Sequence, residues 1–223
     1  MPPMISRVRR NLPNGLTLFR LILAAAFFGV LNPYRHPGEN QMWAYIAIGL
    51  FILAVVTDAL DGYLARRWEV VSVFGRIMDP FCDKVLIIGA FIYLAGPRFV
   101  VPAWVEQGSF FTMATGVYPW MVVVILAREL LVTGIRGEVE SLGGAFGSTW
   151  TGKWKMILQS ICVPVVLFLV VTFDPGVDRN RWSYWTCSAF VYLTVLVTAW
   201  SGVPYVVMAP AAMRRRANGE AES

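Results

Sequence analysis

The chain has 223 residues, 57% of them hydrophobic and 15% charged, with a mean hydropathy of +0.59 and a formal net charge of +5. A water-soluble domain of this length carries more charge, so that class is excluded. The basic excess lacks the interleaved aromatic residues of single-strand binders, which argues against nucleic acid as a partner and for a membrane protein with one basic face.

In chain order, the first 15 residues are basic and proline-rich, without an apolar signal core, and are read as the start of the mature chain. Met4, Ile5 and Val8 alternate with Arg7, Arg9 and Arg10, a pattern suited to a short interfacial helix ahead of the first span; a frayed basic terminus is the other reading. Asn11-Leu-Pro-Asn-Gly15 then predicts a turn. Six apolar stretches follow, at about 16–31, 42–65, 77–95, 117–135, 154–173 and 183–209, each judged against the ~20 residues a spanning helix needs. The expected fold is therefore an all-α polytopic membrane protein with about six transmembrane helices. One membrane domain is expected over 16–210, flanked by the N-terminal segment 1–15 and a polar tail 211–223.

Loop charges set the orientation. Arg7, Arg9 and Arg10, then Arg66, Arg67 and Arg76, then Arg136, Lys153 and Lys155, and finally Arg214, Arg215 and Arg216 fall on one side. Arg35, Arg98, Arg179 and Arg181 fall on the other. The positive-inside rule then places both termini in the cytoplasm. Tryptophans 43, 104, 120, 182 and 185 near span ends suit interfacial anchoring. Cys82, Cys162 and Cys187 lack any framework spacing and read as buried thiols. The single histidine, His36, excludes sites built on several histidines.

Four aspartates stand out against this apolar background. Asp58 and Asp61 close the second apolar segment, and Asp79 and Asp83 open the third, in the pattern D-x2-D-G-x2-A-R-x8-G-x3-D-x3-D. Carboxylates near a bilayer are costly and mark function. Asp58, Asp61 and Ala65 share one helical face, and Asp79 and Asp83 are one turn apart on the next helix, so the two pairs can face each other. Such an oxygen cluster suits hard divalent cations, Mg²⁺ or Mn²⁺, and two such ions serve displacement at phosphorus. Gly62, Ala65 and Gly75 leave room for a cleft, and Arg66 offers a fork for phosphate. A transporter is the reading from another class, but the acids cluster at one membrane face and no inverted repeat is visible.

The whole pattern resembles that of the CDP-alcohol phosphotransferases, over roughly residues 11–210. The resemblance implies transfer of a substituted phosphoryl group from a CDP-linked donor to an alcohol with release of CMP, in a metal-dependent homodimer. It implies metal ligation by Asp58, Asp61, Asp79 and Asp83, with Asp83 also as general base. It implies a nucleotide pocket shaped by Gly62, Ala65, Arg66 and Gly75.

The acceptor is read from the remaining cations. Arg128 and Arg136 lie slightly over two turns apart and can share a helical face, with Lys153 and Lys155 beyond. Glu129 adjoins Arg128 but points about 100° away on a helix. A cation cluster beside the aspartates suggests an acceptor that carries its own phosphate. The stretches at 11–20, 74–84, 127–136 and 152–155 are similar to the phosphatidylglycerolphosphate synthase branch of the family, which implies CDP-diacylglycerol as donor, glycerol 3-phosphate as acceptor and a bacterial inner-membrane location. That similarity would put Arg76, Arg128, Arg136 and Lys153 near the acceptor phosphate, and Asn14 and Thr17 near the nucleotide. The glycine-rich stretch 137–150 departs from that branch. Phosphatidylglycerol, inositol phosphate and serine are the alternative acceptors.

Overall fold

The computed structural model describes the backbone of residues 3–68, 73–141, 150–174 and 182–208, with side chains from Gly15 onward except at 61, 63–68, 73–77 and 79–80. Its regular structure among the described residues is helical: α1 (Pro3–Leu31), α2 (Gln41–Trp68), α3 (Val73–Leu94), a 3-10 turn (Pro97–Phe99), a short α4 (Pro102–Glu106), α5 (Pro119–Ser141), α6 (Trp150–Phe173) and α7 (Trp182–Trp200). The six long helices occupy the six expected apolar segments. Gln41–Leu60, Trp150–Phe173 and Trp182–Met208 are long and apolar enough to cross a membrane by length and composition, and Gly15–Leu31 is a shorter apolar helix. α3 and α5 carry Asp79, Asp83 and Lys84, and Arg128, Glu129 and Arg136, among their apolar residues.

The solvation pattern is that of a protein in lipid. Ile22, Val123, Leu130, Leu196 and Trp200 are exposed on the outside of the bundle, whereas Gln159, Ser183, Thr194 and Thr198 are buried within it. Gln159 Nε2 donates to Thr198 Oγ1 at 3.1 Å, Thr198 Oγ1 donates to the Thr194 carbonyl at 2.7 Å, and Thr194 Oγ1 donates to the Phe190 carbonyl at 2.8 Å, so these three buried polar side chains are satisfied within the bundle. The protein is an integral membrane protein with apolar surface turned outward.

α1 packs along α2 and α3, α6 joins α2, α3 and α7, and α5 closes the bundle against α3 and α7. Phe27, Leu31, Phe51, Phe91 and Leu94 form the center of the α1–α2–α3 contact, with Phe27 and Phe51 ring centroids 5.4 Å apart. Gly89 lets α1 approach α3: a Cβ there would lie 2.4 Å from Phe28 Cζ. At the end away from the aspartates, Arg98 ties the α3–α5 connection to α1. Its Nη1 donates to the Leu31 carbonyl at 2.9 Å and its Nη2 to Asn32 Oδ1 at 2.9 Å, satisfying a carbonyl at the helix end.

Two expectations are corrected. The predicted turn at Asn11–Gly15 is absent, because α1 runs unbroken through it. A proline inside a helix removes one backbone donor without ending the helix, as Pro164 also does inside α6. The cations placed between spans lie on helices instead: Arg66 and Arg67 in α2, Arg76 in α3, Arg136 in α5, and Lys153 and Lys155 in α6. The sixth expected span, 183–209, is met by Trp182–Met208, with a turn at Ser201 and Gly202 between the end of α7 at Trp200 and a second helical stretch over 203–208.

Candidate active site

Asp58 lies about 25 Å along the axis of α2 from Gln41, close to the far limit of a ~30 Å hydrocarbon core. Asp83 lies in the first half of α3, across from it. The two carboxylates converge on one cation. Arg20 of α1 places Nη1 2.7 Å from Asp58 Oδ1 and 2.8 Å from Asp83 Oδ1. The Arg20 side chain is 1% exposed, whereas those of Asp58 and Asp83 are 36% and 30% exposed. The carboxylates therefore open toward solvent while their counter-charge is sealed behind them. Asp61 lies one turn beyond Asp58 on α2, and Asp79 one turn before Asp83 on α3; both side chains fall outside the described residues.

Arg20 is the residue that the sequence reading missed. Its signal was available, since an arginine inside the apolar stretch 16–31 needs a partner by the reasoning applied to Arg128. Thr17, one turn earlier, is fully buried, and its carbonyl accepts from Cys82 Sγ of α3 at 3.9 Å. Gly62 is half-buried on α2. The side chains of Asn14, Ala65, Arg66 and Arg76 and the surroundings of Gly75 fall outside the described residues.

Beside Asp83 opens a cavity of about 580 Å³ between α3, α5 and α6, with Tyr205 at its edge. Its wall brings together Arg128, Arg136, Lys153 and Lys155, the cations singled out in the sequence, and adds Lys84. Against these five cations stand Asp83, Glu129 and Glu140, so the lining favors an anionic guest. Lys84 Nζ donates to Thr133 Oγ1, and Thr133 Oγ1 donates to the Glu129 carbonyl at 2.7 Å, which couples α3 to α5. Lys153 Nζ sits 5.8 Å from the Trp150 ring centroid, leaning on its π face.

Contrary to expectation, Glu129 and Arg128 meet. Arg128 Nη1 donates to Glu129 Oε1 at 3.2 Å. Two long side chains can bend toward each other although their Cβ atoms diverge. Lys155 Nζ of α6 pairs with the same Glu129 Oε1, forming a buried triad of two cations and one acid. Arg128 is seated from the far side by the turn after α7: its Nη2 reaches the Ser201 carbonyl at 3.4 Å, and a Cβ on Gly202 would come within 3.2 Å of Arg128 Cγ.

Residues 10–200 match the sequence profile of the CDP-alcohol phosphatidyltransferases. The chain belongs to the CDP-alcohol phosphatidyltransferase family. Similar proteins include three named CDP-diacylglycerol–glycerol-3-phosphate 3-phosphatidyltransferase. That of Cereibacter sphaeroides is 35% identical over 163 residues, covering 71% of this chain and 63% of the relative. The chain thus spans just under two thirds of that relative's length. The Bacillus subtilis protein is 34% identical over 184 residues, covering 77% of this chain and 86% of the relative. The Escherichia coli K12 protein is 29% identical over 204 residues, covering 90% and 96% respectively. The phosphatidyltransferase assignment and the cavity therefore concern the same stretch of chain, since the profile covers α2, α3, α5 and α6 entirely.

Proposed function

We propose that this protein transfers the phosphatidyl group of CDP-diacylglycerol to glycerol 3-phosphate, giving phosphatidylglycerol phosphate and CMP. The single observation that carries the acceptor is the cavity in which Arg128, Arg136, Lys153 and Lys155 share a wall with Asp83. A phosphate monoester gains from several fixed cations, and its hydroxyl end can then reach the carboxylate beside them. The names of the relatives agree with that pairing of donor and acceptor.

The convergence of Asp58 and Asp83 on one cationic nitrogen fits a divalent cation as well. Both partners are hard carboxylate oxygens on facing helices, which is the donor chemistry Mg²⁺ and Mn²⁺ prefer. Asp58, Asp61, Asp79 and Asp83 would hold two such ions, which when bound polarize the diphosphate and neutralize charge as CMP departs. Asp83 takes the proton from the primary hydroxyl of glycerol 3-phosphate. The new bond forms between that oxygen and the lipid-side phosphorus, and the bond from this phosphorus to the CMP oxygen breaks. Gly62, Ala65, Arg66, Gly75, Asn14 and Thr17 serve the nucleotide, and Arg76, Arg128, Arg136 and Lys153 orient the acceptor phosphate. The donor's acyl chains stay in lipid, against the apolar exterior. The active site and both termini face the cytoplasm of a bacterial inner membrane, and the protein works as a homodimer.

The test is CMP release by purified protein in detergent with CDP-diacylglycerol and Mg²⁺ or Mn²⁺. Glycerol 3-phosphate, inositol phosphate, phosphatidylglycerol and serine are offered separately. Release with glycerol 3-phosphate alone, abolished by chelator, is the expected result. Release with a different acceptor overturns the assignment of the cavity while keeping the donor chemistry.

A further inference from the structure

We propose that Glu129 is a positioning residue for the acceptor, acting through Arg128. The inference rests on the reading of the cavity as the acceptor phosphate site. Its structural basis is a clamp. The Arg128 side chain is only 9% exposed, and it is held at Nη1 by Glu129 and at Nη2 by the Ser201 carbonyl. Its Nε is buried and has no hydrogen-bond partner, although Arg128 lines the cavity. Buried donors are ordinarily satisfied, so an orphaned guanidinium N–H in a cationic cavity is an invitation to an anionic oxygen. Glu129 fixes the fork and leaves that N–H for the ligand.

Glu129 has a second partner in Lys155, and this offers a rival account. An acid buried beside a buried lysine could serve only to neutralize it. The two roles separate in a mutant cycle. If Glu129 acts through Arg128, its charge still matters once Lys155 is gone. If it only neutralizes Lys155, its charge becomes irrelevant without that lysine.

The experiment measures steady-state CMP release by the full-length protein in detergent with saturating CDP-diacylglycerol and varied glycerol 3-phosphate. The variants are E129Q, K155M and E129Q/K155M. Glutamine keeps the shape of Glu129 and removes its charge. The expected result is a KM for glycerol 3-phosphate raised on the order of tenfold on going from wild type to E129Q, and again from K155M to E129Q/K155M. kcat and the KM for CDP-diacylglycerol change little. Equal KM values for K155M and E129Q/K155M overturn the proposal, as does a loss confined to kcat. Should E129Q fail to fold with its lysine unneutralized, the comparison within the K155M background still decides. Wild-type protein inactive toward glycerol 3-phosphate would instead overturn the acceptor reading, which keeps the two failures distinct.

Discussion

At the residue scale, the site is organized by cations buried behind acids. Arg20 lends its charge to Asp58 and Asp83 from a third helix, so it ties α1 to the aspartate pair. Replacing it with methionine leaves two converging carboxylates without their counter-charge. Removing one partner of a fully buried pair costs roughly 3–5 kcal/mol; here the carboxylates are about a third exposed, and roughly 1–3 kcal/mol is expected. The Arg20→Met protein should melt earlier in detergent without divalent ions, and Mn²⁺ should restore part of the loss by supplying the missing charge. A melting temperature equal to wild type without metal would contradict this. Asp83→Asn makes a separate claim, about a proton. It removes the proposed base while keeping size, so turnover should be abolished and binding of CDP-diacylglycerol retained. Near-normal turnover would remove Asp83 from that role.

At the element scale, helix contacts decide what the sequence could and could not announce. The aspartate pattern was legible because its residues recur at helical spacing within a short stretch of chain. The six long helices were legible because each is a sustained apolar run. The ends of α1 and α7 were not. Pro13 and Gly15 carry a local turn signal that packing along α2 and α3 overrides, and the turn at Ser201 and Gly202 lies inside an apolar run that reads as continuous helix. Arg20 and Glu129 escaped for a related reason. The partners of Arg20 on α2 and α3, and the Lys155 partner of Glu129 on α6, are far off in the chain and become neighbors only through the bundle. Gly89 marks one of the contacts that build it. Gly89→Val would drive a side chain into the Phe28 ring, and overpacking of this kind costs about 1–3 kcal/mol. A lower melting temperature is expected, partly recovered by Phe28→Leu in the same chain. Full stability of the single variant would show that the Phe28 ring swings aside without cost.

At the scale of the whole molecule, the two ends of the bundle differ in chemistry. One end gathers the aspartates and the cationic cavity. The other is stitched by Arg98 on the end of α1 and by His36 Nε2, 3.1 Å from Asp174 Oδ1 just past α6. Burial lowers the His36 pKa from its ordinary 6.5, and the neighboring Asp174 carboxylate opposes that shift without reversing it. The folded protein therefore holds His36 neutral at a pH where the unfolded chain would protonate it. The unfolded state binds more protons in that window, so stability rises with pH across it. The contribution is fully present above about pH 6.5, and it declines as the pH falls from there through the lowered folded value. Thermal melting in detergent between pH 8 and pH 5.5 should show this decline in the wild type. His36→Gln, which cannot titrate, should show a flatter profile over the same range, with other carboxylates common to both. Parallel profiles for the two proteins would mean that His36 is not held neutral by the fold. The prediction concerns the end of the bundle away from the aspartates, since His36 follows the end of α1 at Leu31, about 17 Å along the helix axis from Arg20.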